Sequence, residues 1–408
     1  MRSRLLAVGV CCLAVATARC GSSSTGAPQT DAGSGGSGSG GGGGTDGGGG
    51  GGVDAGSGGG SDGGTAANEC DGLGADQNAS SITITPPTEA CGLAATSDSS
   101  GNIALSGSSD ATTSKNWATY DHGGARLGTL HAYGPVIPRG SGFFGLDRLI
   151  NATDPRNDYL HLWTFAPDGS GPSQNVGGFL CKATLQRTSA GGVLMNERCG
   201  SGLTVGSRIV WYDDAGTQKW STFISGSSGS APPEPNAAAG DAGGNVLITT
   251  ASDDVGGRPA GDLLGRWIAP DGSLSGDWFV LVAGNAAPPV LQSLIGGGVA
   301  VMQNGKWLVV VPPLGGLQPA PDWLTSRPDQ DFRIVRGRKA YAFTSQITAP
   351  QPHGFSGGPL VEVVAPSGTS CGTFDTKGYA AAVGGDGSVI ANTDDCTRRV
   401  WPGLLGVR

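Results

Sequence analysis

One short segment of the chain places a serine where a nucleophile could act. It reads Gly354-Phe355-Ser356-Gly357-Gly358-Pro359. A serine hydroxyl attacks a carbonyl group only when an imidazole takes up its proton and hydrogen-bond donors stabilise the oxyanion. The chain has four histidines, His122, His131, His161 and His353. The nearest in sequence is His353, and nothing around it supplies a fixed carboxylate to orient the ring.

The same segment resembles the nucleophile loop of chymotrypsin-like serine proteases, which reads Gly-x-Ser-Gly-Gly-Pro. The resemblance would imply peptide hydrolysis by Ser356. Phe355 stands where that family usually has an aspartate, and no histidine of this chain lies in the Ala-Ala-His-Cys setting of the family. We therefore predict a glycine-rich loop between two strands, with no catalytic residue and no histidine partner for Ser356.

Adjacent aspartates are the other candidates for chemistry. They are Asp213-Asp214, Asp253-Asp254 and Asp394-Asp395. Two carboxyl groups about 5–9 Å apart would serve glycoside hydrolysis, and an oxygen-rich loop would suit calcium. Aspartate pairs are more often polar turn residues, and the histidines show no spacing typical of a metal site. We expect neither a metal nor a cofactor.

The elements that would position these residues are degenerate repeats, which fill the chain after residue 98. Each repeat has a β-rich run, a second strand that usually carries tryptophan, and a glycine turn. The turn glycines recur every 44 to 56 residues, at Gly124, Gly169, Gly216, Gly272, Gly316 and Gly368. Repeats with this period predict an all-β fold, a β-propeller of about seven blades over residues 68–408. We expect Ile82–Thr85 to pair with the last blade and close the ring.

Tryptophans stand a few residues before several of these turns. We expect four of them to be buried between blades, where they contribute a large apolar area: Trp163, Trp211, Trp267 and Trp307.

One repeat resembles a named family. The segment Trp211–Trp220 is similar to the repeat of pyrroloquinoline-quinone (PQQ)-type propellers, Asp-x-x-Gly-x-x-x-Trp, which Asp213, Gly216 and Trp220 match. In that family the tryptophan docks one blade on the next, so the resemblance implies a packing role. The quinone enzymes of the family use an adjacent cysteine pair, which is absent after residue 20. The resemblance therefore implies architecture and no quinone chemistry.

The first 20 residues predict export. Arg2 and Arg4 precede the apolar run Leu5–Ala18, which has the length of a signal-peptide core. The following Arg19-Cys20 resembles the end of a bacterial lipobox, which implies a lipid on Cys20, although the residue before the cysteine is normally small. The alternative is cleavage after Ala18, which would release a soluble secreted protein.

Residues 21–67 consist almost entirely of small and polar residues, with glycine the commonest. Such a segment cannot bury a core, so we predict a disordered tether with a reach of roughly 35–40 Å. The tether and the export signal resemble those of myxobacterial surface lipoproteins, which implies attachment to the cell envelope and no particular activity.

Cysteine usage agrees with an oxidising compartment. Of nine cysteines, two lie in the signal core and Cys20 is the lipidation candidate, which leaves six that can pair. Among fifteen possible connectivities, we predict the local one, in which each bond contributes about 3 kcal/mol: Cys70–Cys91, Cys181–Cys199 and Cys371–Cys396.

Three functions remain open at this stage, and one of them, a scaffold lipoprotein in outer-membrane assembly, rests only on the architectural likeness to quinone-type propeller lipoproteins. A net charge of −8 argues against a nucleic-acid partner. The leading hypothesis is a monomeric, non-catalytic binding or scaffold module at the outer membrane, cell surface or periplasm. It would bind an unknown envelope protein or glycan through its loop-bearing face and touch the membrane only through its lipid. The alternative is a secreted hydrolase of glycan or peptide with its site in the propeller channel. A channel with converging Asp, His or Arg would favour the enzyme.

Overall fold

Short runs of β-branched and other apolar residues, separated by glycine turns, fold as strands. Val246–Ala251 is an example, because five of its six residues are buried and a turn with Gly244 at φ +86° precedes it. The structure is a computed structural model of the chain. It describes residues 68–407 apart from 88–93, 107–113, 150–158, 178–180, 200–205, 225–236, 253–260, 286, 313–315, 346–359, 378–380 and 394–396. The predicted signal, Cys20 and the predicted tether lie outside the described residues.

The described residues form seven four-stranded antiparallel sheets, and in six of them the four strands pair in chain order. Blade 1 contains β2 (Ala95–Ser97), β3 (Ile103–Ser106), β4 (Ser114–Tyr120) and β5 (Arg126–Tyr133). Blade 2 contains β6 (Ile137–Pro138), β7 (Phe143–Leu149), β8 (Tyr159–Phe165) and β9 (Ser173–Gly177). Blade 3 contains β10 (Cys181–Arg187), β11 (Val193–Cys199), β12 (Gly206–Tyr212) and β13 (Gln218–Ile224).

The next three blades repeat this arrangement. Blade 4 contains β14 (Ala237–Gly240), β15 (Val246–Ala251), β16 (Leu263–Ile268) and β17 (Leu274–Val282). Blade 5 contains β18 (Val290–Ser293), β19 (Val299–Gln303), β20 (Lys306–Val311) and β21 (Gln318–Pro319). The single-turn helix α1 (Asp322–Thr325) follows it. Blade 6 contains β22 (Gln330–Val335), β23 (Ala340–Ser345), β24 (Leu360–Val364) and β25 (Ser370–Asp375).

Blade 7 joins the two ends of the chain. Its strands β26 (Ala381–Val383), β27 (Val389–Asn392) and β28 (Arg398–Trp401) are completed by β1 (Ile82–Ile84) from the N-terminal side. In this pairing Ile82 lies opposite Val400 and Ile84 lies opposite Arg398. The protein is thus a seven-bladed β-propeller, and the predicted fold and ring closure are both confirmed.

The first strands of the blades line the channel. Strand β2 contacts β6 and β26, β6 contacts β10, β10 contacts β14, and β14 contacts β18. The core lies between the blades: Phe144 and Leu162 of blade 2, for example, pack with Met195 and Val210 of blade 3.

The predicted turn glycines mark contacts between blades. Gly272, in the last turn of blade 4, has φ +88°, and a Cβ there would lie 2.8 Å from the Cβ of Trp220 in blade 3. Gly216 of blade 3 approaches Thr164 of blade 2 in the same way. Trp220 is buried and its ring lies 5.8 Å, edge to face, from that of Trp211. The exception is Gly316, beside which a Cβ would meet nothing within 4 Å.

The four tryptophans expected between blades differ in burial. Trp267 and Trp307 are each 3% exposed. Trp163 and Trp211 are half-buried, and Trp163 stacks on Phe165 at 5.4 Å.

The local cysteine pairing is wrong for Cys70 and Cys371, which bond to each other across 301 residues of sequence. The ring closure is the reason. It brings the segment before β1 against blades 6 and 7, where Leu73 packs in their common core. Cys91 and Cys396 lie outside the described residues. Cys181 and Cys199 lie directly opposite each other on β10 and β11, and their pairing stays a prediction.

Candidate functional site

Tight turns occupy one face of the ring. Because the strands of a blade alternate in direction, its first and third turns lie at the same end of the channel. An aspartate opens many of these turns and accepts hydrogen bonds from their backbone amides. Asp98 accepts from the amides of Ser100 and Asn102, both at 2.9 Å. Asp213 accepts from Ala215 at 3.0 Å and Thr217 at 2.9 Å. These carboxylates therefore stabilise turns.

The opposite face carries the second turns and the connections between blades. Most of the undescribed residues between 68 and 407 belong to these segments of the sequence. Residues 346–359, which include His353 and Ser356, connect β23 to β24 of blade 6. The pairs Asp253-Asp254 and Asp394-Asp395 also lie outside the described residues. The predictions for these residues, and for a loop-bearing binding face, therefore stay predictions.

Arg187 reaches from blade 3 towards two other blades at the tight-turn end of the channel. It is the last residue of β10, a channel-lining strand. Its Nη1 donates a hydrogen bond of 3.3 Å to the carbonyl of Pro138 in blade 2. A Cβ on Gly385 in blade 7 would lie 2.7 Å from the same nitrogen. The missing side chain at position 385 leaves room for the guanidinium group.

A second arginine bonds across the channel. Arg338, in the first turn of blade 6, donates through Nη1 to the carbonyl of Ser189 in blade 3. Blades 3 and 6 are not neighbours in the ring, so this contact must cross the channel end. The Ser189 hydroxyl in turn donates to the carbonyl of Gly240 in blade 4 at 2.7 Å. Arg333, on the channel-lining strand β22, is exposed and close enough to Arg187 for their charges to interact.

Arg139 completes the cluster from blade 2. Its Nη1 donates to the carbonyl of Asp214 in blade 3 at 2.7 Å. Its guanidinium carbon lies 5.9 Å from the ring centre of Phe144. We name Arg139, Arg187, Arg333 and Arg338 the channel arginines.

Three aspartates lie among the channel arginines. Asp98 also accepts from the amide of Gly142 at 2.6 Å, and Asp214 accepts from that of Gly192 at 3.1 Å. Asp331 accepts from the Gln292 side chain at 2.5 Å and from the amide of Phe332 at 2.7 Å. Each carboxylate is thus hydrogen-bonded within the protein, and none forms an ion pair with a channel arginine among the described residues.

Burial dominates the electrostatics of this cluster. It lowers the pKa of Arg187, against the charges of Asp214 and Asp98, and the charge of Arg333 lowers that pKa further. Burial also lowers the pKa of Arg139. It raises the pKa of Asp331, and the charge of Arg333 only partly offsets this. Guanidinium groups remain cationic at neutral pH despite such shifts, so the cluster can hold an anion.

The channel meets the criterion that we set for an enzyme, since Arg and Asp converge in it. The residue types limit what it can catalyse. Arginine does not exchange protons at neutral pH, and Asp98 and Asp214 are held by backbone amides.

The described histidines lie on other parts of the ring. His122 and His131 are exposed in blade 1. His161 of blade 2 has Nδ1 3.3 Å from the Ser173 hydroxyl. Ser173 is exposed on an outermost strand, and Asp147 of β7 lies directly opposite His161 in the sheet. Among the described residues, no group of three His, Cys, Asp or Glu is placed to hold a metal ion.

A shallow cleft of about 450 Å³ lies between blades 3 and 4. Trp211, Trp220 and Pro270 supply its apolar walls, and Lys219 and Asp271 supply its charges. Lys219 is paired with Asp213 at 3.1 Å. Because its aromatic rings also pack the two blades together, this cleft is a weaker candidate than the channel end.

Comparisons with known proteins find only distant structural similarities. No protein-family model and no curated protein matches the chain. The AfRom2 CNH domain is 9% identical with a TM-score of 0.35, over 74% of this chain and 90% of that one. A prolyl endopeptidase is 11% identical with a TM-score of 0.41, over 72% of this chain and 45% of the other. A eukaryotic initiation factor is 11% identical with a TM-score of 0.35, over 77% and 86%. In the part of the chain that the structure describes, no helix has the length and apolarity to span a membrane.

The sequence reasoning missed the channel arginines. One signal was present: in blades 2, 3 and 6 an arginine stands at the end of the first strand or in the turn that follows. A single arginine before a turn has many uses, however, and only the ring brings these residues together.

Proposed function

We propose that this protein is an exported, lipid-anchored β-propeller that binds a partner at the cell envelope without catalysing a reaction. The observation that supports it best is the convergence of arginines from blades 2, 3 and 6 at one end of the channel. Guanidinium groups recognise anions through directed hydrogen bonds and need no proton transfer to do so. The propeller supplies the rigid frame that holds them.

The anchor rests on the N-terminal sequence. The bond between Cys70 and Cys371 is consistent with an oxidising compartment, as an exported protein requires. Metabolic labelling with a palmitate analogue tests the anchor directly. We expect labelled protein in the membrane fraction and unlabelled, soluble protein from Cys20→Ser. Label that persists in Cys20→Ser, or is absent from both proteins, would contradict the anchor and leave the soluble secreted form.

Binding is tested by a pull-down from envelope extracts with the full chain as bait. The proposal expects a partner that is retained by the wild type and reduced by Arg187→Gln. The matched control is Arg126→Gln, which removes the same charge from an exposed residue on β5, the outermost strand of blade 1. Equal recovery with both variants would exclude the channel end as the binding site.

The second candidate is a secreted hydrolase, which the mixture of Arg and Asp in the channel favours. It predicts turnover in a panel of glycan and peptide substrates, lost in Asp331→Asn. A fluorophosphonate probe gives an independent answer for Ser356, since covalent labelling there would identify a serine hydrolase. We expect neither turnover nor labelling.

A further inference from the structure

The shallow cleft between blades 3 and 4 lies among three tight turns. The first turns of these blades contribute Ala190 and Ala242–Gly244, and the last turn of blade 4 contributes Pro270 and Asp271. Its volume of about 450 Å³ is in the range of small-molecule sites, about 300–1,000 Å³. None of the channel arginines is among the residues that line it. The cleft is therefore a candidate site in its own right.

The indole ring of Trp211 forms a fixed apolar wall of this cleft. Its Nε1 donates a hydrogen bond of 3.1 Å to the carbonyl of Gly191. Trp220, edge to face with it, is buried, whereas Trp211 is half-buried and keeps part of its surface exposed. A Cβ on Gly244 would lie 3.2 Å from Cη2 of Trp211, so a side chain at this position would cover part of the ring. An indole that is held in place and left partly uncovered can pack against a ligand.

Two polar side chains of the cleft have hydrogen-bonding capacity to spare. Asp271 uses Oδ1 to accept from the amide of Ser273 at 2.9 Å and from its hydroxyl at 2.7 Å. Among the described contacts, its Oδ2 takes part in no hydrogen bond or ion pair. Lys219 pairs with Asp213 at 3.1 Å, and an ammonium group has three donors. The cleft thus combines an acceptor, a donor and an indole ring.

These groups determine the kind of ligand that fits. An anion would be repelled by Asp271, and a cation would share the cleft with the ammonium group of Lys219. A hydroxyl group both donates and accepts, so a neutral ligand with several hydroxyl groups satisfies both side chains. A sugar ring has such hydroxyl groups at its edge and an apolar C–H face that packs on an indole.

The equivalent turn of blade 2 provides a comparison within the same molecule. Asp168 Oδ1 accepts from the amide of Ser170 at 2.9 Å and from its hydroxyl at 2.7 Å, as Asp271 does from Ser273. A Cβ on the following Gly169 would meet the backbone carbonyl of Thr129, however, whereas one on Gly272 would meet Trp220. The turn of blade 2 therefore rests on backbone and the turn of blade 4 on a tryptophan.

We infer that the cleft between blades 3 and 4 binds a neutral sugar residue of a glycan. The sugar ring packs on Trp211, donates a hydroxyl hydrogen bond to Asp271 and accepts one from Lys219. This inference goes beyond the proposed function, which rests on the channel end, and uses none of its arginines.

Saturation-transfer NMR on the full chain tests the inference with four neutral disaccharides: cellobiose, maltose, lactose and di-N-acetylchitobiose. We expect a saturable signal from at least one of them. Asp271→Asn and Lys219→Gln should each weaken its affinity about three- to tenfold, because each variant disturbs one hydrogen bond to the sugar. The matched control Asp168→Asn removes the same charge from the equivalent turn of blade 2 and should bind as the wild type does.

Further arms separate folding and ligand type. Trp211→Phe keeps a ring in the cleft with a smaller apolar surface and should also weaken binding. Lys219 and Asp271 are exposed, so their variants test the site even if Trp211→Phe unfolds. No saturable signal from any of the four sugars, an equal loss in Asp168→Asn, or displacement of the sugar by equimolar acetate or tetramethylammonium would each overturn the inference. If no sugar binds while the pull-down still retains a partner that Arg187→Gln reduces, the inference fails and the proposed function stands.

Discussion

Two arginine sites in this ring use the same chemical group in different ways. Arg336, at the junction of blades 6 and 7, is 4% exposed and donates to three carbonyl oxygens. Its Nε bonds to Leu73 at 3.1 Å, its Nη2 to Gly74 at 2.7 Å and its Nη1 to Gly406 at 3.1 Å. Arg187, at the channel end, is half-buried, and its described contacts include a single hydrogen bond of 3.3 Å.

The difference separates a structural cation from the cation that we propose binds a partner. Carbonyls from the N-terminal segment and the C-terminal residues surround Arg336, so the residue joins both ends of the chain to blade 6. Removing it would leave one buried and two partly buried acceptors without these donors, which is costly. Arg187 keeps donors that the described residues do not use, so removing it should affect a ligand more than the fold.

The largest effect should come from Arg336→Met. One buried and two partly buried hydrogen bonds are lost, and we expect a loss of about 3–5 kcal/mol in the free energy of unfolding. Urea unfolding followed by tryptophan fluorescence measures it. Arg187→Gln is the variant for comparison, and it should lower the free energy of unfolding by less than about 1 kcal/mol. Equal losses in the two variants would abolish the distinction between the sites.

Next in size is the loss of the Cys70–Cys371 bond, which holds the N-terminal segment beside Arg336. Cys70→Ser and Cys371→Ser should each destabilise the fold by about 2–5 kcal/mol. The double variant should lose no more than either single one, because both remove the same bond. Additive losses would mean that the two cysteines do not pair.

A smaller effect tests the contacts between blades that lie outside both arginine sites. Gly272→Ala places a Cβ at φ +88° and 2.8 Å from Trp220, so we expect a loss of about 2 kcal/mol from strain and overpacking. The matched variant Gly316→Ala meets nothing within 4 Å and should be neutral. Thermal unfolding of both variants measures the difference in stability. A loss in Gly316→Ala as large as that in Gly272→Ala would argue against docking by the turn.

The smallest effect concerns an arginine paired with a carboxylate. Burial raises the pKa of Glu362, but hydrogen bonds from Arg327 and Ser370 and the charge of Arg327 outweigh it, so the pKa is lower than usual. As pH falls, the unfolded chain takes up a proton first, and stability decreases until the folded pKa is passed. Glu362→Gln should therefore lower the free energy of unfolding by about 1 kcal/mol at pH 7 and by less at pH 3. Chemical unfolding at both pH values measures the difference; a constant cost would contradict it.

Glu197 provides the contrast for this last test. Burial raises its pKa in spite of the pairing with Arg208. Its side chain is 3% exposed, against 21% for that of Glu362. As pH rises, the Glu197 carboxyl group loses its proton in the unfolded chain before it does so in the folded protein. Ionisation of this residue therefore lowers the free energy of unfolding as the pH approaches neutral. We expect Glu197→Gln to reduce the loss of stability that accompanies rising pH. Glu362→Gln should instead reduce the loss of stability that accompanies falling pH.

The sequence by itself determined the repeat, the class of fold and the closure of the ring. Its signals are local. A turn such as Asp98 to Asn102 forms because an aspartate caps its amides and Gly101 tolerates φ +84°. The spacing of such turns sets the number of blades. A strand that has no partner nearby in sequence, such as Ile82–Ile84, pairs with the free edge of a sheet.

Only the tertiary structure decided which distant residues meet. Cys70 bonds with Cys371 because the closing strand carries the N-terminal segment to blades 6 and 7, and no spacing in the sequence encodes that contact. Arg187 and Arg338 converge because blades 3 and 6 lie across the channel from each other, which depends on the number of blades and on the rotation between them. A turn is stabilised by its own few residues, whereas a site in the channel requires the whole ring.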